Sequence, residues 1–138
     1  LVRQRSVRND THRLRKAIRR VAKGRRVRGA EIFRIPDGEW QSAVRLALSA
    51  SDAVIIDVSE MTAAIAWEIE QAEAVLGRDA VVFIAREGTA TAEPRYAEHT
   101  IVYPDRRTAS AHTFRRTLLD ALYTAASDAG ISNAMTRS

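Results

Sequence analysis

A chain of 138 residues, 46% apolar and 28% charged, suits one globular domain and is too hydrophobic to stay disordered. Without cysteine it has no disulfide, no thiolate nucleophile and no thiolate metal site, and His12, His99 and His112 fall at no ligand spacing, so no metal and no cofactor is expected. The net charge of +5 hides an asymmetry: residues 1–28 carry twelve Lys/Arg against Asp10 alone, while residues 29–138 carry ten Arg against sixteen Asp/Glu.

Leu1–Val7 reads as a strand, although Arg3 and Arg5 would sit poorly in the middle of a sheet. Over Asn9–Lys23 the apolar residues Leu14, Ala17, Ile18 and Val21 recur with helical period, with Asn9, Asp10 and Thr11 as N-cap candidates and Gly24 as a stop. Ala30–Ile35 is a short strand closed by the turn Pro36-Asp37-Gly38, and Trp40, Ala43, Val44, Ala47 and Leu48 mark a helix to about Ala50. Ala53–Asp57 is a β-branched run of the kind buried on both faces of a parallel sheet. A helix over Thr62–Leu76 ends at Gly77, and Asp79–Ala85 is a second apolar strand. Glu87–Glu98 is a polar loop long enough for a functional role, and His99–Tyr103 is the last strand. A helix capped by Thr108 or Ser110 runs to Gly130.

Strands alternating with helices give an α/β fold. The number of strands favours a flavodoxin-like, three-layer domain with a five-stranded parallel sheet of order 2-1-3-4-5, spanning residues 1–130, with 131–138 as a flexible tail. In that winding the binding crevice lies at the carboxyl edge between the first and third strands. Its rim is Arg5–Asp10, Asp57–Met61 and the start of the Thr62–Leu76 helix, so Arg5, Arg8, Asp57 and Ser59 are candidate substrate contacts. Neither a G-x-G-x-x-G loop nor a Walker A pattern occurs, so a nucleotide would be held in some other way.

On the helix, Ile65, Ile69, Ala72 and Leu76 form a stripe toward the sheet. Glu70 and Glu73 lie well round on one flank, and Glu68 lies on the other, one turn above the helix start, where a side chain can reach the crevice. The competing account of Glu68 is a surface acid favoured by the helix dipole, and that of Asp57 is a turn carboxylate. Trp67 is a substrate contact or a packing residue, Tyr96 a base-stacking or surface tyrosine, and Arg86 a further phosphate contact. Ser6 and Ser59 have no neighbouring histidine, so no Ser-His-Asp triad is indicated.

The stretch Glu39–Ala85, with Ser-Asp-Ala-Val-Ile-Ile-Asp followed by Ala-Trp-Glu-Ile-Glu-Gln-Ala-Glu-Ala-Val-Leu-Gly-Arg-Asp-Ala-Val-Val-Phe-Ile-Ala, resembles TIR-like and nucleoside 2-deoxyribosyltransferase-like domains. It looks closest to a bacterial TIR-like group, often membrane-attached, with a Trp-Glu pair in that helix, and Arg5-Ser6-Val7-Arg8-Asn9-Asp10 is similar to that group's first strand end. The resemblance implies that Glu68 is the catalytic carboxylate and Asp57 the acid closing the strand. The spacing in TIR NADases points instead to Glu70. Where the deoxyribosyltransferases have an Asp-Ser-Gly-Thr-like segment, this chain has Met61-Thr62-Ala63-Ala64, which lacks their ribose- and phosphate-contacting groups.

The implied activity is cleavage of the N-glycosidic bond of NAD or a related nucleotide, a hydrolase reaction in which a carboxylate stabilises an oxocarbenium-like transition state. The alternative is a non-catalytic sensing or interaction module that self-assembles. For the basic end, residues 1–28, an anionic membrane surface is the expected partner and nucleic acid the less favoured one, because no aromatics interleave the arginines. No run reaches the ~18–20 apolar residues of a span. Because the sequence starts at Leu1, a fragment is expected whose missing upstream part anchors a cytoplasmic domain to the inner membrane.

Overall fold

The computed structural model describes residues 9–24, 31–89, 96, 99–105 and 110–136. The expected strand Leu1–Val7, with Arg5 and Arg8, lies outside them. The chain divides into two compact units, one up to Ala50 and one from Ser51 onward.

In the first unit, helix α1 (Thr11–Ala22) packs on helix α2 (Trp40–Ser49), with Leu14, Ala43 and Leu48 buried. Asp10 is the N-cap residue of α1, and Asn9 before it accepts the Thr11 N–H on Oδ1 at 3.0 Å. Asp10, 3% exposed, has another task. Its N–H donates to the Arg34 carbonyl at 2.9 Å, and its carboxylate accepts the Arg34 N–H and an Arg13 Nη1–H, each at 3.2 Å. Arg13 also lies over the Phe33 ring, 5.6 Å from its centre. The turn at Pro36 forms as expected, closed by the Glu39 N–H on the Pro36 carbonyl at 2.9 Å.

Of the expected strand Ala30–Ile35, residues 31–35 are described and belong to no ladder. The contact of this segment with Asp10 is made at Arg34, and Ile32 is 83% exposed. An apolar run becomes a strand only where a neighbour supplies successive backbone partners.

The second unit is an α/β domain. Strands β1 (Val54–Asp57), β2 (Val81–Arg86) and β3 (Thr100–Tyr103) form a parallel sheet in the order β1-β2-β3, among the described residues. Val54 sits opposite Val81 and Asp57 opposite Ile84, while Phe83 sits opposite Thr100 and Arg86 opposite Tyr103. The three strands are the third, fourth and fifth expected, in the expected order.

Helix α3 (Ala63–Leu76) packs on β1 and β2, and helix α4 (Ser110–Thr136) packs on β2 and β3. The central strand is the core: Val81, Val82, Phe83 and Ala85 are buried. Ile69 and Ala72 of the α3 stripe are each 1% exposed. Burial of a side chain the size of Ile69 or Phe83 contributes about 1.5–3 kcal/mol.

Thr62 caps α3, its Oγ1 accepting the Ile65 N–H at 3.2 Å, and Gly77 ends it with a φ of 85° that a side chain would resist. Residues Arg78–Ala80 then make a 3-10 turn, so β2 starts at Val81 rather than Asp79. Tyr96 is no base-stacking surface residue. It is 2% exposed, with its ring 4.8 Å from that of Phe83. Gly130 does not stop α4, which continues to Thr136, since one glycine costs a helix only about 1 kcal/mol.

Candidate active site at the carboxyl edge of the sheet

In a parallel sheet all strands end on one edge, so the last residues of β1, β2 and β3 meet whatever their separation in sequence. Here they are Asp57, Arg86 and Tyr103. The Tyr103 hydroxyl reaches across β2 and donates to Asp57 Oδ2 at 2.8 Å. Ser59, two residues beyond the strand, turns back on the same carboxylate. Its N–H donates to Oδ1 at 2.9 Å and its hydroxyl at 2.6 Å. The Ser59 oxygen in turn accepts the Arg86 N–H at 2.7 Å. Three strand ends are thereby tied by one carboxylate and one hydroxyl.

Partial burial pushes the Asp57 carboxyl up, but the Ser59 hydroxyl and N–H, the Tyr103 hydroxyl and the Arg86 charge together outweigh it. The group is held below its ordinary value. A carboxylate offers about four acceptor positions. Ser59 takes two on Oδ1 and Tyr103 one on Oδ2, which leaves one on Oδ2 for a ligand hydroxyl. Asp57 is therefore chiefly a clasp.

Glu68 differs in every respect. It is half-buried on α3 and has no hydrogen-bond or ion-pair partner among the described residues. Desolvation alone pushes its carboxyl up. Glu70 is exposed, and Glu73, on the same flank, pairs with Arg78 at 3.8 Å. Of the two acids that sequence left as candidates, Glu68 is the one half-buried and desolvated, whereas Glu70 is exposed. Trp67, beside it, is half-buried.

Sequence reasoning picked Asp57, Ser59 and Glu68 but missed Tyr103. The signal was present. A tyrosine closing the run Ile101-Val102-Tyr103 before Pro104 places a hydroxyl at the same edge as Asp57. Arg5 and Arg8 lie outside the described residues, and Arg86 is exposed, with its backbone N–H donating to the Ser59 hydroxyl at 2.7 Å.

Two clefts of about 390 Å³ lie in this unit. One, between β3 and α4, is lined by Val102, Pro104, Thr113 and Phe114, and the other, at the start of β2, by Arg78, Val81, Tyr96 and His99. Neither includes Asp57 or Glu68. In the first unit a cleft of about 520 Å³ is lined by Asn9, Thr11, His12, Arg15, Glu39 and Ser42. There Glu39 accepts hydrogen bonds from Thr11 and Asn9.

Among the described residues no three His, Asp or Glu side chains gather as metal ligands, and no helix is long and apolar enough to cross a membrane. Comparison with family models, with curated proteins and with solved structures finds no match to this chain.

Proposed function

We propose that this chain is a TIR-like domain that binds NAD or a related nucleotide at the carboxyl edge of its parallel sheet and cleaves the bond between nicotinamide and ribose. The observation that carries this reading is Glu68, a half-buried carboxyl with no described partner and raised by desolvation, on the helix that follows β1. In the reaction the C1′–N bond breaks with its electron pair passing to the pyridinium nitrogen, and neutral nicotinamide leaves. Water adds to C1′ and releases a proton. The Glu68 carboxylate stabilises the positive charge that develops on the ribose, directly or by holding its hydroxyls, and Trp67 packs against the bound nucleotide. The last free position on Asp57 Oδ2 accepts a ligand hydroxyl.

We propose the flavodoxin-like winding 2-1-3-4-5 for the fold, because the observed order β1-β2-β3 is that of its last three strands. Purified protein, alone and concentrated into assemblies, should release nicotinamide from NAD, and Glu68→Gln should lose most of that rate. No turnover and no binding at millimolar NAD refutes the proposal.

A second reading is a self-assembling, non-catalytic module. It draws on Leu119 and Tyr123, one turn apart on α4 and 55% and 78% exposed, which form an apolar strip suited to a second copy. A monomer at all concentrations, with or without nucleotide, removes it.

A further inference from the structure

Helix α1 is segregated more sharply than packing requires. At about 100° per residue, Ala17, Val21, Leu14, Ile18 and Ala22 occupy one arc of about 140°. The opposite arc, about 160° wide, holds Arg15, Arg19, His12, Lys23, Lys16, Arg20 and Arg13, and nothing else. α1 packs on α2 with Leu14 buried and Ala17 and Ile18 half-buried, whereas Val21, Ala22 and every residue of the basic arc are exposed.

Local structure explains only part of this charge. Arg13 is paired with Asp10. Arg19 and Arg20, in the last turn, complement the negative end of the helix. Among the described residues Arg15, Lys16, Arg19, Arg20 and Lys23 have no ion-pair partner. Glu31 is the acid that lines a shallow groove with Arg13, Lys16 and Arg20. Five unpaired cations on one face of a twelve-residue helix repel one another, and an external polyanion relieves that repulsion.

We propose that the basic arc of α1 is a docking face for an anionic lipid bilayer, with the helix lying along the surface and its Lys and Arg heads among the headgroup phosphates. Three features favour lipid over nucleic acid. The arc contains no Phe, Tyr or Trp on which a base could stack. Its basic residues recur at i, i+4, as Arg15, Arg19 and Lys23 and as His12, Lys16 and Arg20, and lipid headgroups move sideways to meet that spacing. At its border, beside Arg15, Ala22 is exposed, a small apolar edge that settles at headgroup depth beside the aliphatic stems of the arginines. The net acidity of residues 29–138 adds no attraction to an anionic surface.

Sedimentation of the 138-residue chain with vesicles tests this. At low salt it should bind vesicles of about three parts phosphatidylcholine to one part phosphatidylglycerol, ignore pure phosphatidylcholine, and dissociate as salt rises. The variant K16Q/R19Q/R20Q, altered only at exposed positions, should bind on the order of 100-fold more weakly, from about 1 kcal/mol for each charge near the surface. R78Q/R115Q/R116Q, which removes the same charge from the second unit, should change binding by less than about 3-fold, as should the charge-preserving R19K/R20K. Equal binding to neutral vesicles, equal losses in the two triple variants, a large loss in R19K/R20K, or capture of the protein from the vesicles by an unrelated DNA duplex at equal phosphate would each overturn the proposal.

Discussion

The end of β1 and the middle of α3 each present an acid that sequence marks for the same crevice, yet the fold treats the two in opposite ways. Asp57 is surrounded by donors and held ionised, whereas Glu68 is desolvated and left without a described partner. The difference lies in which groups the topology brings alongside. A strand end in a parallel sheet has neighbouring strand ends and a following turn to satisfy it. A side chain on a helix flank, off the apolar stripe, has neither. A satisfied carboxylate holds a structure together, and an unsatisfied one retains interaction energy for a ligand.

The comparison breaks most visibly in turnover. On the proposed mechanism Glu68→Gln lowers nicotinamide release by roughly 100- to 1,000-fold, the cost of losing one preorganised group facing a developing charge. Glu70→Gln, at an exposed position, should stay within about 3-fold of the parent. If the Glu70 variant is the one that fails, the working carboxylate has been misassigned between the two flanks.

Stability is the next largest effect. Asp57→Ala strands the Ser59 and Tyr103 donors and should cost about 1–2 kcal/mol in denaturant unfolding, kept modest because the site is open to solvent. Its pH dependence has a definite sign. The folded-state pKa of Asp57 is depressed, so its contribution is complete above the ordinary aspartate value of about 3.9 and is lost as pH falls through the lower, folded value. The gap between parent and Asp57→Ala should therefore close on acidification, and a gap unchanged down to the acid transition would show that the clasp is not ionic. Tyr103→Phe removes one donor and leaves the aromatic contact with Phe114, whose ring centre is 5.7 Å away. It should cost about 0.5–1 kcal/mol.

Much of this architecture is legible in the residues. Asp79–Ala85 holds a strand buried as expected, and the Ile65, Ile69, Ala72, Leu76 stripe fixes how α3 lies on the sheet. In the run Ala53–Asp57, expected to be buried on both faces, only Ile56 is buried among the strand residues and Ile55 is 39% exposed. Segments whose fate depends on a partner rather than on their own pattern are harder to read. Glu31–Ile35 has strand-like composition but no ladder among the described residues, and Tyr96 looks like a polar-loop residue until the Phe83 ring is beside it. The clasp is a product of tertiary structure. Asp57 and Tyr103 lie 46 residues apart, and only the parallel order places their ends together.

The smallest effect sharpens the comparison most, because its sign is opposite to that of Asp57. The Glu68 carboxyl is raised in the folded chain and ordinary in the unfolded one. Between the two values the folded state keeps a proton that the unfolded state has released. Stability therefore falls as pH rises through that window and stays lower above it. Glutamine has no charge to desolvate, so Glu68→Gln should be the more stable protein at neutral pH, by a margin that solvent screening of a half-exposed group keeps small. The advantage should vanish below the ordinary glutamate value of about 4.3, where parent and variant are both uncharged at this position. Paired denaturant titrations at neutral and acid pH resolve it. A variant that gains stability while losing turnover marks Glu68 as a residue kept at the expense of the fold, whereas one that loses both marks it as a packing residue.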